Sequence, residues 1–255
     1  MSNKILEGIK AISFDFWYTI ARYETEAEWG KQDRIRVEAF SRILRDYGIE
    51  LSEEQIEVTL LEVGTECEAE RLTSEIEVPS REVVSRILTR LGLRKRIAGG
   101  LSVLLRAFDE ALLQVKVVPE ANAMEVLAEL KKRGYPLALL SNTSHGHIIR
   151  RIMDREGLSQ FFSHLLYTDE IGPRKPNPKA FEIMLERLGS KAEETMHVGD
   201  RHELDILGSR RSHIRSVLYI PLGNCWQDGM PKPDFCIHNL REIIKDEGGE
   251  EGKEV

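Results

Sequence analysis

Five short stretches carry groups suited to reaction chemistry: Asp15-Phe16-Trp17-Tyr18-Thr19, Ser141-Asn142-Thr143, Arg174-Lys175-Pro176-Asn177-Pro178, Gly199-Asp200, and Asp205 beyond them. Gathered in one place they supply carboxylates, an ammonium and a hydroxyl/amide pair, a set fitted to phosphoryl transfer. A carboxylate such as Asp15 can attack phosphorus and carry the group as an acyl phosphate. Paired carboxylates such as Asp15 and Asp200 hold Mg2+, a hard cation that takes oxygen ligands and keeps several waters. The Lys175 ammonium and the Ser141 and Asn142 donors suit equatorial oxygens, where transition-state charge spreads.

Positioning them requires a scaffold, and the chain's alternation describes one. Residues 10–15 (KAISFD) form a short apolar run ending on an acid, the pattern of a buried parallel strand. From Pro119 onward, strands at 136–141, 164–168, 195–199, 216–220 and 234–237 alternate with helices at 120–133, 145–156, 178–188 and 203–211. Near-continuous apolar strands between helices predict a Rossmann-like α/β parallel sheet covered on both faces. Most of the reactive stretches follow a strand, and open α/β sheets bind ligands beyond the carboxyl ends of their strands. Residues 26–115 differ. Apolar positions recur there at helical spacing, with helices near 26–47, 53–73, 80–91 and 98–115. The expected organisation is an α/β core of residues 1–21 plus 118–245, an inserted α-helical cap of residues 22–117, and a polar tail, 246–255, that frays.

Composition narrows the function classes. The 255 residues include 36 basic and 43 acidic side chains, for a formal net charge of −7. That balance argues against general nucleic-acid binding, which needs a dense basic surface. No apolar run approaches the roughly 20 residues of a membrane span. The opening MSNKILEGIK lacks a signal-peptide core, so a cytoplasmic protein is expected, as a monomer or homodimer acting on a small phosphorylated molecule. Cys67, Cys225 and Cys236 form no C-x-x-C pair and read as thiols rather than a disulfide framework.

The four motifs, in this order and each after a predicted strand, resemble the haloacid dehalogenase-like (HAD) superfamily with a helical cap after the first strand. The resemblance spans about residues 10–240. It implies that Asp15 is the nucleophile and a Mg2+ ligand, and that the backbone carbonyl of Trp17 is another. Thr19 would shape the loop, while Ser141 and Asn142 would bind phosphoryl oxygens. Lys175 would neutralise Asp15 and the phosphate, with Arg174 facing solvent. Asp200 would bind Mg2+, and Asp205 would reach the metal through water or orient Lys175.

One departure matters. In the family's D-x-D-x-T motif the second Asp protonates the leaving group and later activates water; here Trp17 holds that place. Such help is typically worth about 10²–10⁴-fold. Alkyl phosphates should suffer most from its loss, and acyl or aryl phosphates least. Haloacid dehalogenases resemble this chain in having an aromatic residue there, but need no metal. Gly199-Asp200 favours Mg2+ and phosphate. The alternatives are therefore a metal-independent dehalogenase-type hydrolase and a non-catalytic module binding a phosphorylated ligand or a partner protein. In the cap, Arg22, Arg34 and Arg36 are candidate anion grips and Glu24 and Glu26 candidate replacement acids; phosphonate-cleaving relatives use a cap lysine as a Schiff base, but Lys31, Lys95 and Lys116 sit in no context that resembles theirs. His145 is placed at a helix entry near the pocket, His197 in the core and His202 in an exposed loop.

Overall fold

The structure is a computed structural model that describes residues 4–97, 99–225 and 229–245. In chain order the strands are β1 (Ala11–Phe14), β2 (Ala21–Tyr23), β3 (Val117–Pro119), β4 (Leu137–Ser141), β5 (His164–Tyr167), β6 (Thr195–Gly199), β7 (Arg215–Tyr219) and β8 (Phe235–Ile237). The helices are α1 (Glu26–Trp29), α2 (Lys31–Asp46), α3 (Glu53–Ser74), α4 (Ser80–Arg90), α5 (Gly100–Glu110), α6 (Ala123–Lys132), α7 (Gly146–Arg155), α8 (Thr168–Ile171), α9 (Pro178–Leu188) and α10 (Leu207–Arg211).

Six strands form one parallel sheet in the order β5-β4-β1-β6-β7-β8. Period-two alternation sends Leu137 and Leu139 into one apolar cluster with Ile12, Phe14 and Val198, while Ala138 and Leu140 join Phe181 and Met184 on the other face. Both faces are thus covered, which is why the strands read as apolar runs. β1 is central. Ile12 pairs with Leu137 on one side and with Met196 on the other. The strand order reverses there, so the crevice beyond its end is where a ligand fits.

Helices α2 to α5 pack around a separate cluster that includes Phe40, Leu44, Ile56, Val84, Ile87 and Leu104. Ser52 and Gln55 close a reciprocal capping box at the start of α3. Backbone pairing ties this helical insert to the sheet domain at a ribbon and at a strap, and ion pairs such as Arg151–Glu110 and Arg211–Glu75 add to them. The ribbon is antiparallel: Ala21 pairs with Pro119 and Tyr23 with Val117. In the strap, Ile76 bridges Pro173, Glu77 N donates to Gly172 O (2.8 Å), Arg174 N to Glu75 O (3.0 Å) and Ser80 N to Ser144 O (2.8 Å).

Several expectations need correction. The ribbon β2–β3 was not expected, because three residues per strand show no periodicity. The expected helix 203–211 opens as a π-helical turn, His202–Ile206, before α10. Cys225 and Cys236 are joined in a disulfide, not held as thiols, because the loop after β7 brings Cys225 back beside β8. Cys67 is a free, buried thiol. The tail 246–255, expected to fray, lies outside the described residues. No described helix is long and apolar enough to cross a membrane.

Candidate active site

Asp15 directly follows β1, and its amide donates to Val198 O at 2.9 Å, which locks the residue to the end of β6. Lys175 arrives from the loop before α9 and is 2% exposed. Its Nζ lies 2.6 Å from Asp15 Oδ1 and 2.6 Å from Asp205 Oδ1. The loop that delivers it is clamped by Asn142, whose side chain accepts from Lys175 N and donates to Lys175 O, both at 2.9 Å. Asn142 thus positions the lysine main chain, a use the sequence did not reveal.

Asp205 has no free oxygen. Oδ1 takes Lys175 and also His197 Nε2 at 3.0 Å, while Oδ2 accepts from Arg201 N at 3.0 Å. The hydrogen-bond pattern assigns the His197 tautomer: Nε2–H donates to the carboxylate, and Nδ1 accepts from Ser13 Oγ at 2.8 Å. A chain of contacts therefore runs from Ser13 through His197 and Asp205 to Lys175 and Asp15. Of the two roles expected of Asp205, this geometry favours holding Lys175. Gly199 makes room for it, since a Cβ at that position would fall 2.2 Å from Asp205 Cγ.

The electrostatics are lopsided. Carboxylate oxygens of Asp15, Asp200 and Asp205 lie within 4.8 Å of one another, around a single ammonium. Burial lifts the Asp15 carboxyl to about 6 against the pull of Lys175, with a further push from Asp205. Burial, then the charges of Asp15 and Asp205, lifts Asp200 to about 8. For Asp205 burial works upward too, but Lys175 and His197 outweigh it and hold the group well below the usual range. Burial opposes the charge on Lys175, yet the two aspartates more than compensate and raise it. Asp200 has no ion-pair partner among the described residues. A hard cation fits this oxygen-rich, under-compensated corner.

Two cavities meet here. One, of about 260 Å³, is lined by Asp15, Asp200, Lys175, Asp205, Tyr18 and Leu204 among others. The second, of about 330 Å³, lies between the sheet domain and the insert. Trp17, Tyr23, Asn142 and Arg174 line both. The Trp17 ring stacks on Tyr23 (centroids 4.7 Å apart, planes at 17°) and meets Phe16 edge-on at 4.9 Å. Ser141 is buried at the end of β4 and lines neither cavity; its Oγ has no hydrogen-bond partner among the described residues. Thr19 Oγ1 is likewise buried without one.

A family model described as haloacid dehalogenase-like hydrolase matches residues 4–213. The chain belongs to that family. Among curated relatives, this HAD-like hydrolase is 29% identical to a glyceraldehyde 3-phosphate phosphatase of Methanopyrus kandleri, over 92% of this chain and 96% of the relative. It is 34% identical to a phosphoserine phosphatase of Thermus thermophilus over 58% of this chain, a match that spans only 59% of the relative. Among solved structures, a 2-haloacid dehalogenase of Pseudomonas syringae pv. Tomato DC3000 superposes with a TM-score of 0.69 at 22% identity, covering 92% of this chain and 98% of that one. At that identity the likeness shows the fold alone.

Around the HAD-like centre, some expectations fail. Arg174 does not face solvent; it is 9% exposed and borders both cavities. His202 is buried rather than exposed, with Nδ1 at 2.9 Å from Pro231 O. Neither Glu24 nor Glu26 lines the Asp15 cavity, and Glu24 pairs with Lys116 at 2.5 Å. Lys31 pairs with Glu28 at the surface, also away from both cavities. His197, expected in the core, is there, but its bond to Asp205 makes it part of the support beneath Lys175. The isolated histidine in an apolar strand carried no signal of that, because the partner lies beyond the strand end.

Proposed function

We propose that this chain is a Mg2+-dependent phosphatase that acts on a small phosphorylated molecule through an aspartyl phosphate on Asp15. The observation that carries this reading is the convergence of Asp15, Asp200 and Asp205 at the end of the central strand, with the Lys175 ammonium held between Asp15 and Asp205. The helical insert, residues 22–117, then serves as a cap over the site. The glyceraldehyde 3-phosphate phosphatase of Methanopyrus kandleri, matched along most of the chain, supports the same class.

Asp15, the Trp17 carbonyl and Asp200 would hold Mg2+, which when bound supplies positive charge against the phosphate oxygens. The remaining work falls to the chain itself. Asp15 Oδ attacks phosphorus in line, and the bond to the leaving oxygen breaks. Lys175 neutralises the equatorial oxygens, held on target by Asp205 from below and Asn142 from the side. Trp17 cannot donate a proton, so the departing oxygen leaves without side-chain assistance and takes its proton from water. Water then attacks phosphorus, which releases phosphate and restores the Asp15 carboxylate. That step also lacks a base at position 17, so the phosphoenzyme persists and an acceptor alcohol competes with water.

The test is hydrolysis of p-nitrophenyl phosphate with Mg2+ and with EDTA, beside Asp15→Asn. The leaving group needs no protonation, so Trp17 does not mask turnover. We expect Mg2+-dependent phosphate release that Asp15→Asn abolishes without change in circular dichroism. Halide release from a 2-haloacid in EDTA, with no phosphate release, would replace this reading by the dehalogenase one.

A further inference from the structure

The 330 Å³ chamber beside the Asp15 cavity is lined by Arg36 and Arg71 from the insert and by Arg174 and His145 from the sheet domain. Its carboxylates are Glu68 and Glu77, so guanidinium charge is in excess. The arginines are not equally occupied. Arg71 donates from Nε to Glu77 and from Nη2 to Val78 O, while Nη1 faces Glu68 at 3.4 Å. Glu77 is completed by Thr168 Oγ1 at 2.8 Å and Val78 N at 3.1 Å. That pair is closed on itself.

Arg174 is not. Its Nη1 is buried without a hydrogen-bond partner among the described residues. The nearest carboxylate oxygens stand at 3.6 Å (Glu68) and, from Nε, 3.8 Å (Glu77), too far for a hydrogen bond. A buried guanidinium with an open N–H is costly unless an acceptor completes it. Arg174 also borders both cavities, so it stands at the passage between them. Arg36 lies across the chamber, its guanidinium 3.8 Å above the Phe108 ring, with Nε on Phe108 O and Nη1 on Asp33. The surplus positive field is felt by His145, which burial, Arg36, His147 and Arg71 together push down to about 3.

We propose that this chamber binds a second anionic group, carried on the leaving group of the substrate, with Arg174 as its anchor and Arg36 as the opposing cation. The inference rests on the phosphatase reading for its placement, because the phosphate fills the Asp15 cavity and the chamber takes the remainder. A carboxylate and a second phosphate share the chemistry that a guanidinium recognises, paired N–H donors on one oxyanion. A chamber of this volume holds a leaving group of a few carbons. A neutral leaving group leaves the buried Arg174 N–H unpaired and is discriminated against, as a site built to hydrogen-bond rejects the analogue that lacks the partner.

The experiment is steady-state kinetics of the full chain with Mg2+ on matched three-carbon esters: glycerol 3-phosphate, 3-phosphoglycerate and propanediol bisphosphate, with p-nitrophenyl phosphate as the control for chemistry. We expect kcat/KM for one or both anionic-tailed esters to exceed that for glycerol 3-phosphate by about tenfold or more. The better of the two identifies the anion as carboxylate or phosphate. Arg174→Gln should bring that ratio towards one, chiefly through KM, with Arg174→Lys intermediate. Glu68→Gln, at a half-exposed position, removes the opposing charge and should raise the ratio. Equal or lower rates on the anionic esters in a protein that turns over p-nitrophenyl phosphate would overturn the chamber assignment. So would a ratio that ignores both Glu68→Gln and a folded Arg174→Gln. If p-nitrophenyl phosphate is not hydrolysed, the phosphatase reading fails instead. The chamber is then judged by calorimetry with glycerate and inorganic phosphate: binding weakened by Arg174→Gln or strengthened by Glu68→Gln sustains it, and no binding or no response ends it.

Discussion

Trp17 is the residue whose chemistry departs most from what the reaction asks. It contributes packing instead, stacked on Tyr23 at the seam between the sheet domain and the insert. Trp17→Asp should therefore do two opposed things. It restores a proton donor, so turnover of alkyl phosphates should rise by as much as about 10²-fold relative to p-nitrophenyl phosphate. It also removes an aromatic pair worth about 0.5–1.5 kcal/mol beyond its buried area, so the melting temperature should fall. A folded, destabilised variant with an unchanged substrate ratio would mean that the position serves shape alone. The carboxylates make a separate prediction. Asp200 is lifted to about 8 and Asp15 to about 6 in the fold, while the unfolded chain releases both protons near the ordinary carboxyl range. Between those limits the native state binds more protons than the unfolded state, so stability without a divalent cation falls as pH rises. In EDTA the melting temperature should be higher at pH 6 than at pH 8.5, and Asp200→Asn should flatten most of that slope. A slope that survives Asp200→Asn would place its origin elsewhere.

Among the elements, the strap at residues 75–80 does the most with the fewest residues. Glu77 joins Arg71 of α3 to Thr168 at the start of α8, and its neighbours bond to the loop that carries Lys175. Breaking a buried charged pair by removing one partner costs about 3–5 kcal/mol. Glu77→Gln should accordingly lower thermal stability and speed amide exchange at Glu77, Ser80 and Arg174, whose N–H groups span the join. Exchange unaltered at those amides would show that contacts outside the strap hold the insert. Neither tie was legible in the sequence. The strands of the sheet were, because β4 is apolar from Leu137 to Leu140, β6 carries Met196 and Val198, and a reactive motif lies at the end of each. The helices of the insert were too, through their spacing and through punctuation such as Gly48 and Pro79. The ribbon and the strap depend on backbone pairing between segments far apart in the chain, and backbone groups are the same at every residue. The support around the site was hidden likewise. Asn142 was expected to offer its backbone N–H to phosphate; the separate role of its side-chain amide, committed to Lys175, left no mark in the sequence.

At the scale of the whole molecule, two separate apolar clusters flank the sheet, a third fills the insert, and a disulfide fastens the loop between β7 and β8. Closing a loop of that sequence separation, 11 residues, restrains the unfolded chain by up to about 3 kcal/mol. Cys225→Ser should lower the melting temperature under oxidising conditions and leave the reduced protein unaffected. Thiol titration of the denatured, unreduced protein should find Cys67 alone, and after reduction Cys225 and Cys236 as well. Full titration without reductant would show that the pair is open in solution.

The central place of β1 also governs how the molecule is made. The strand that leads to Asp15 is made before the other five strands of its sheet, yet Ile12 waits for Leu137, and then for Met196, before it has neighbours on both sides. Contacts so distant along the chain are slow to form. The helices between can gather around their own apolar cluster during that interval, while the nascent Ala11–Phe14 strand remains an unpaired apolar edge. A chain interrupted before β6 would carry the nucleophile and the lysine but lack the strand that fixes the first and seats the aspartate beneath the second. Synthesis therefore has to pass β6 and Asp205 before Asp15 is fixed and the Lys175 ammonium is seated.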